Sequence, residues 1–247
     1  MRLAVALAIL VFWGGSTALA QAIDIGPLLP SSDPTVSGRI VQYVLLLTIL
    51  SVAPGLLIMV TSFTRFVIAF SFLRSGLGLQ STPANLVLIS LSLFLTFFVM
   101  APTFDKAWSE GLDPLMKNQI TEQEAYQKMT GPFRDFMAVN VRPKDLALFE
   151  DIAREKSLKI SAEGPVDLRI LVPAFMISEL RRGFEIGFLI ALPFLIIDLI
   201  VATLTMSMGM MMLPPTVISL PFKVLFFVLI DGWHLLAGSL LKSFASG

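Results

Sequence analysis

A long uncharged stretch constrains this chain more than any other feature. Between Ser75 and Phe104 there is no Asp, Glu, Lys or Arg, and Leu86–Met100 contains only apolar residues apart from Ser and Thr. A transmembrane helix needs about 20 consecutive, predominantly apolar residues. Similar apolar regions lie near residues 40–73, 184–206 and 216–241. We therefore predict an all-α membrane protein with about four long, kinked hydrophobic helices that form hairpins.

The overall composition agrees with a membrane protein. Hydrophobic residues make up 55% of the chain and charged residues only 15%, whereas soluble domains carry about 25% charged residues. The formal net charge is zero and no basic tract is present, so nucleic acid is not predicted as a partner. The absence of cysteine excludes disulfides and thiolate metal sites.

The N-terminus has the order of a secretory signal peptide. A basic start, Met1-Arg2, is followed by a short apolar run to Trp13 and by the small-residue site Ala18-Leu19-Ala20. We predict a signal peptide over residues 1–20, cleaved after Ala20; an uncleaved membrane anchor is the alternative. An export signal before apolar spans is typical of a bacterial inner-membrane protein.

The remaining chain divides by composition. Residues 21–39 are rich in Pro, Ser, Asp and Gly and predict a flexible leader. Residues 40–104 predict a first hydrophobic helical hairpin region, with a break or kink at Pro54-Gly55. Residues 105–169 predict a small polar helical insert, and residues 170–247 a second hydrophobic hairpin with a methionine-rich loop.

The polar insert also carries a helix-start signal. Thr121 followed three residues later by Glu124 has the form of a capping box. We therefore expect a helix to begin at this point.

Two opposite charges lie deep inside the second hairpin region. Asp198 and Lys223 are each surrounded by apolar residues, where a charge costs about 2.5–3.5 kcal/mol on insertion scales. If the chain reverses between Met210 and Met211, these two residues face each other at the same depth. We predict a buried ion pair that holds the hairpin together; a proton or ion relay through Asp198 is the alternative.

A second group of charges is predicted at the start of a helix. Glu179 and Arg182 are three residues apart, and Arg181 and Glu185 four, so the four side chains can neutralise one another. A contact with another subunit is an equal alternative. Arg65 and Asp231 are further charges in apolar regions to which the sequence assigns no partner.

The motifs of enzymes and cofactor proteins are absent from the sequence. There is no Gly-rich phosphate loop, metal-ligand cluster or nucleophile elbow. We therefore predict no enzyme activity and no cofactor.

Several long motifs resemble the FliP family of flagellar export-gate proteins, whose injectisome counterpart is SctR. The resemblance covers roughly residues 40–245. The motifs that carry it are TSFTRFVIAFSFLR (61–74), LFLTFFVMAP (93–102), PAFMISELRRGFEIGF (173–188), IDLIVATLTMSMGMMMLPP (197–215) and ISLPFK (218–223).

The resemblance implies a core subunit of a type III protein export gate in the flagellar basal body. Such proteins form an oligomeric ring with helical symmetry, here a homo-pentamer, together with FliQ and FliR homologues and near FlhA and FlhB homologues. Their helices build a cone that rises from the inner membrane to the periplasmic level. Unfolded flagellar proteins would be the export substrates.

The resemblance also assigns a role to the segment SMGMMMLPP (207–215). It implies that Met210, Met211 and Met212 project into the pore as a gasket, with Gly209, Pro214 and Pro215 as the hinge of the loop. Methionine side chains are unbranched and adaptable, which suits a seal that must deform around a polypeptide. A methionine-rich helix end packed in a core is the alternative.

Two other classes of function remain possible from the sequence. A small secondary transporter or ion channel would use Asp198 along its pathway, and a membrane adaptor would bind partners through the insert. A ring with partner subunits would distinguish the export gate from a monomer that binds a small solute.

Overall fold

The computed structural model describes residues 36–79, 83–156, 166–210 and 214–245. Of these residues, 88% are helical and none lies in a strand. The prediction of an all-α protein is therefore confirmed. The predicted signal peptide, its cleavage site at Ala20 and the leader up to residue 35 lie outside the described residues.

The helices are numbered here in chain order. Between α3 and α4 the chain forms a π-helical segment, Ala107–Leu112. The α-helices of the described residues are α1 (Val36–Met59), α2 (Phe63–Leu77), α3 (Asn85–Lys106), α4 (Asp113–Met116), α5 (Glu122–Asn140), α6 (Pro143–Glu155), α7 (Leu168–Ser207), α8 (Pro215–Leu229) and α9 (Gly232–Ala245).

Three of the described helical segments are long and apolar enough to cross a membrane. They are Val41–Met59, Asn85–Met116 and Leu168–Ser207, and the pair α8 and α9, bent by 63°, meets the same criteria when taken together. The prediction of about four long hydrophobic helices is therefore confirmed. The shorter helices α5 and α6 form the polar part between α3 and α7.

The chain divides into two units, residues 1–51 and 52–247. In the first unit, the described part of α1 contains Thr48, whose hydroxyl donates to the carbonyl of Val44 at 2.7 Å. In the second unit, α1 continues through Pro54 and ends at Met59. The chain therefore does not break at Pro54-Gly55, where the sequence predicts a break or a kink, because an apolar helix can tolerate the one hydrogen bond that proline removes.

Helices α2 and α7 run parallel and pack through small residues on α7. A Cβ atom added to Gly183 would lie 3.1 Å from Cβ of Ile68, and one added to Gly187 would lie 2.7 Å from Cγ of Phe72. These pairs keep a constant offset of 115 residues. Small residues every four positions let two apolar helices approach closely.

The described residues of the second unit form two hydrophobic cores. The membrane core, which contains Phe66, Phe70, Leu73 and Phe194, is formed mainly by α2, α3, α7, α8 and α9. The insert core joins Met137 and Val141 to Leu171, Ala174 and Phe175 of α7. Helix α7 therefore passes through both cores.

The insert is built around the start of α5. Thr121 and Glu124 form the predicted capping box, with each side chain bonded to the backbone N–H of the other residue. That prediction is confirmed. The π-helical segment packs on α5 so closely that a Cβ on Gly111 would lie 2.4 Å from Cγ of Met129.

Candidate functional site

Asp198 on α7 and Lys223 on α8 are in direct contact across the hairpin. The Lys223 ammonium donates to Oδ2 of Asp198 and, at 2.9 Å, to the carbonyl of Gly76 at the end of α2. The Ser219 hydroxyl donates to Oδ1 of Asp198 at 2.5 Å. Both charges thus have hydrogen-bond partners, which is what a charge inside an apolar region requires.

A cavity of about 1230 Å³ adjoins this ion pair. Asp198 and Lys223 contribute to its wall together with Arg74, Asn85 and Thr216. The Lys223 side chain is only 4% exposed, whereas that of Asp198 is 30% exposed. Solvent in the cavity therefore reaches the carboxylate more readily than the ammonium group.

A second ion pair, Arg65 with Glu179, joins α2 to α7. Both side chains are fully buried, and the guanidinium donates to both carboxylate oxygens, with Nε lying 2.8 Å from Oε2. Its Nη1 donates to the Ser243 hydroxyl at 2.7 Å and to the Ser243 carbonyl at 3.1 Å. The pair is thus bidentate and further hydrogen-bonded, the geometry in which a buried pair can offset its desolvation.

The charges predicted around Glu179 lie in the middle of α7 and not at its start, because α7 begins at Leu168. Asp167 caps this earlier start by accepting a hydrogen bond from the Arg169 N–H at 2.8 Å. Arg181 donates to Glu185 at 2.7 Å, and both side chains are more than half exposed. Glu179 forms its direct ion pair with Arg65, and Arg182 interacts with the same carboxylate through its charge.

The methionine segment follows the end of α7 at Ser207. Gly209 has a φ of 73°, a left-handed conformation that suits glycine, and Pro214 precedes the first residue of α8, Pro215. Met206, Met208 and Met210 are exposed by 62%, 72% and 38%. The other two predicted gasket residues, Met211 and Met212, lie outside the described residues.

A polar joint attaches the insert to α7. The Ser178 hydroxyl donates to Oδ2 of Asp145 at 2.7 Å and accepts from the backbone N–H of Arg142 at 3.0 Å. Since Ser178 is next to Glu179, the joint and the buried Arg65–Glu179 pair occupy the same turn of α7.

The sequence did not reveal the contributions of Gly76, Ser219 and Ser243. Gly76 and Ser243 act partly through their backbone carbonyls. Every residue has a backbone carbonyl, so the sequence does not indicate which of them accepts a hydrogen bond. Ser219 lies four residues before Lys223 and therefore on the same helix face, a signal that could have been used. Among the described residues, no group of three or more His, Cys, Asp or Glu side chains is arranged to hold a metal ion.

Comparison with known proteins identifies the family. Residues 46–240 match the FliP family. A flagellar biosynthetic protein FliP of Rhizobium meliloti (strain 1021) is 65% identical, covering 91% of this chain and 92% of the relative. The protein of that name from Agrobacterium fabrum is 67% identical over 86% of each chain. That of Bacillus subtilis is 56% identical over 87% of this chain and 96% of the relative. The chain that carries these two ion pairs and the methionine segment therefore belongs to the FliP family.

Proposed function

We propose that this chain is the core pore-forming subunit of a flagellar type III protein export gate. The relatives are named flagellar biosynthetic proteins, which supports a part in building the flagellum. The role is structural, not enzymatic. In this proposal, the gate passes unfolded flagellar proteins across the bacterial inner membrane, with the methionine segment as the seal.

The observation that carries the proposal is the position of the exposed methionines. Met206, Met208 and Met210 lie where the chain leaves α7 to enter the hairpin turn, and all three are exposed. A flexible apolar side chain at the tip of a hairpin can project into a pore. The three rotatable bonds of methionine let it adapt to the shape of an exported polypeptide. A methionine-rich helix end packed in a core is the alternative, and the exposure of these three side chains in the single chain favours the gasket.

The ion pair fixes the base of the same hairpin. Lys223 is 3% exposed and ties α8 to Asp198 on α7 and to the end of α2. Removing one partner of a buried pair costs about 3–5 kcal/mol. In the proposal, this contact keeps the hairpin in position while the methionine tip moves.

Assembly into a ring is the second part of the proposal. Many large apolar side chains of α1, α3, α7 and α8 are exposed in the single chain, among them Phe94, Phe98, Leu199 and Leu229. Surfaces of this kind are covered by lipid or by other protein chains. We propose five copies with FliQ and FliR homologues, near FlhA and FlhB homologues in the flagellar basal body, with parts at the periplasmic level.

The seal can be tested by ion leak. We expect Met210→Ala, Met211→Ala and Met212→Ala together to leave the complex assembled but to raise the conductance of membranes that contain it, because three long side chains are shortened at the constriction. Met116→Ala, at an exposed methionine at the end of α4, is the matched control and should leave conductance unchanged. A triple variant that assembles and leaks no more than the control contradicts the gasket.

Charge exchange tests the hairpin base. Asp198→Lys or Lys223→Asp alone should prevent accumulation of the assembled complex, since each places two like charges together. The double exchange should restore part of it, but not all, because an aspartate at 223 would face the carbonyl of Gly76 that the lysine now bonds. If the double variant assembles no better than either single variant, the direct pairing is refuted.

A further inference from the structure

The last turn of α9 connects parts of the second unit that are far apart in sequence. Phe244 packs against Phe66 of the membrane core with ring centroids 5.6 Å apart. It also stacks on Phe136, which packs on the insert core, at 6.0 Å and an interplanar angle of 22°. One aromatic ring therefore touches both hydrophobic cores.

The same turn completes the Arg65–Glu179 pair. Ser243 accepts two hydrogen bonds from Nη1 of Arg65, and the guanidinium carbon lies 3.6 Å from the centroid of the Phe244 ring. A buried guanidinium that lost these partners would keep only its bonds to Glu179, and unsatisfied buried donors are costly. The position of the turn and the integrity of the pair are thus linked.

The turn reaches this place because the chain bends sharply between α8 and α9. The two helices meet at 63°, and Asp231 at the bend has a φ of 50°, which residues with a side chain seldom adopt. The adjoining Gly232 has no room for a side chain, since a Cβ there would lie 2.2 Å from the Phe227 ring. The bend therefore has a specific conformation that few residue types can adopt at positions 231 and 232.

We propose that Ser243 and Phe244 form a latch that couples the polar insert to the membrane core. The latch closes when the bend at Asp231 brings the end of α9 onto Arg65 and Phe136. Any event that displaces the insert then loosens the Arg65–Glu179 pair, and a change at the pair loosens the insert, because coupling between two sites is reciprocal. This coupling is a property of the single chain and does not depend on whether the methionines seal a pore.

Hydrogen exchange by mass spectrometry on the full-length chain in detergent micelles tests the latch. We expect Phe244→Leu to accelerate exchange by roughly tenfold or more in the last turns of α9 and also in the part of α5 around Phe136. Phe104→Leu is the matched control, because Phe104 packs on Phe133 of α5 at 5.7 Å without involving α9. It should accelerate exchange in α5 and leave α9 unchanged. Acceleration confined to α9 in Phe244→Leu would overturn the latch.

A second variant acts from a distance and does not alter the latch residues. Asp231 and Phe244 are 13 residues apart along α9, about 20 Å of helix. Asp231→Val should reproduce the exchange pattern of Phe244→Leu, because a β-branched residue is unfavourable in the left-handed conformation. Asp231→Asn should leave exchange as in the unaltered chain, since asparagine tolerates that conformation. If Asp231→Val leaves the exchange of α5 unchanged, the bend does not control the latch and the proposal fails.

Discussion

The close packing of α2 on α7 makes Gly187→Ala a sharp test of the fold. The added methyl group would lie 2.7 Å from Cδ2 and Cγ of Phe72 and 2.8 Å from its Cβ. Cβ is fixed to the backbone of α2, so rotation of the Phe72 ring cannot make room. The two helices must move apart along the face that also carries the Arg65–Glu179 pair.

Two opposing terms set the size of the effect. Forcing an extra methyl group into a well-packed core costs about 1–3 kcal/mol, and replacing glycine by alanine in a helix returns up to about 1 kcal/mol. We expect a net loss of about 1–2 kcal/mol in the free energy of unfolding. For a chain of this size that corresponds to a fall in Tm of roughly 2–8 °C.

Thermal unfolding of the purified chain in detergent measures this loss. Gly183→Ala should be milder, because its methyl group would lie 3.1 Å from Ile68. Gly131→Ala in α5 is the control, since nothing lies within 4 Å of the added Cβ, and it should leave Tm unchanged or raise it. A Gly187→Ala protein as stable as Gly131→Ala would refute the close parallel packing of α2 on α7.

Three further predictions concern other contacts. Arg65→Leu leaves the carboxylate of Glu179 buried without its partner and should lower the free energy of unfolding by about 3–5 kcal/mol. An immunoblot should therefore detect less of this variant in membranes, and the double variant Arg65→Leu with Glu179→Leu should restore part of that amount. Ser178→Ala should cost about 1–3 kcal/mol and increase proteolysis of α6 selectively. Hydrogen bonds from Thr121 lower the pKa of Glu124. Ionised Glu124 therefore stabilises the start of α5 fully above the unfolded-state pKa of about 4.3, and this stabilisation is lost as the pH falls through the lower folded-state pKa. Glu124→Gln should abolish that pH dependence in the exchange of the first turn of α5.

Contacts that are local in sequence could be predicted, and contacts between distant segments could not. Asp198 and Lys223 are 25 residues apart on two helices joined by a short turn, so the reversal point alone places them opposite each other. Arg65 and Glu179 are 114 residues apart on parallel helices, and the whole insert lies between them. The packing of Gly183 and Gly187 against Ile68 and Phe72 of α2 sets the register of these helices, and the spacing of the glycines in the sequence does not identify the helix that packs against them.

Proline residues in the apolar regions do not mark the ends of the helices. Pro54 predicts a break or a kink, but α1 continues without a break to Met59. The interruption instead lies between α1 and α2 at residues 60–62, where the hydroxyls of Thr61 and Thr64 both lie 3.5 Å from the carbonyl of Ile58. Pro173 and Pro193 likewise lie inside α7 without ending it, so proline in an apolar helix is a poor boundary signal.

Helix α7 is longer than the hydrocarbon core of a bilayer is thick. Its 40 residues extend about 60 Å, whereas the hydrocarbon core of a bilayer is only about 30 Å thick. The Arg181–Glu185 pair is more than half exposed, and such exposed charges are expensive in lipid. The part of α7 after Glu185 contains one charged residue, Asp198, and is about 33 Å long, which matches the length and composition of a membrane span. Glu179 precedes this part of α7 and Asp198 lies inside it, so the two ion pairs join α7 to α2 and to α8 at different levels of the helix.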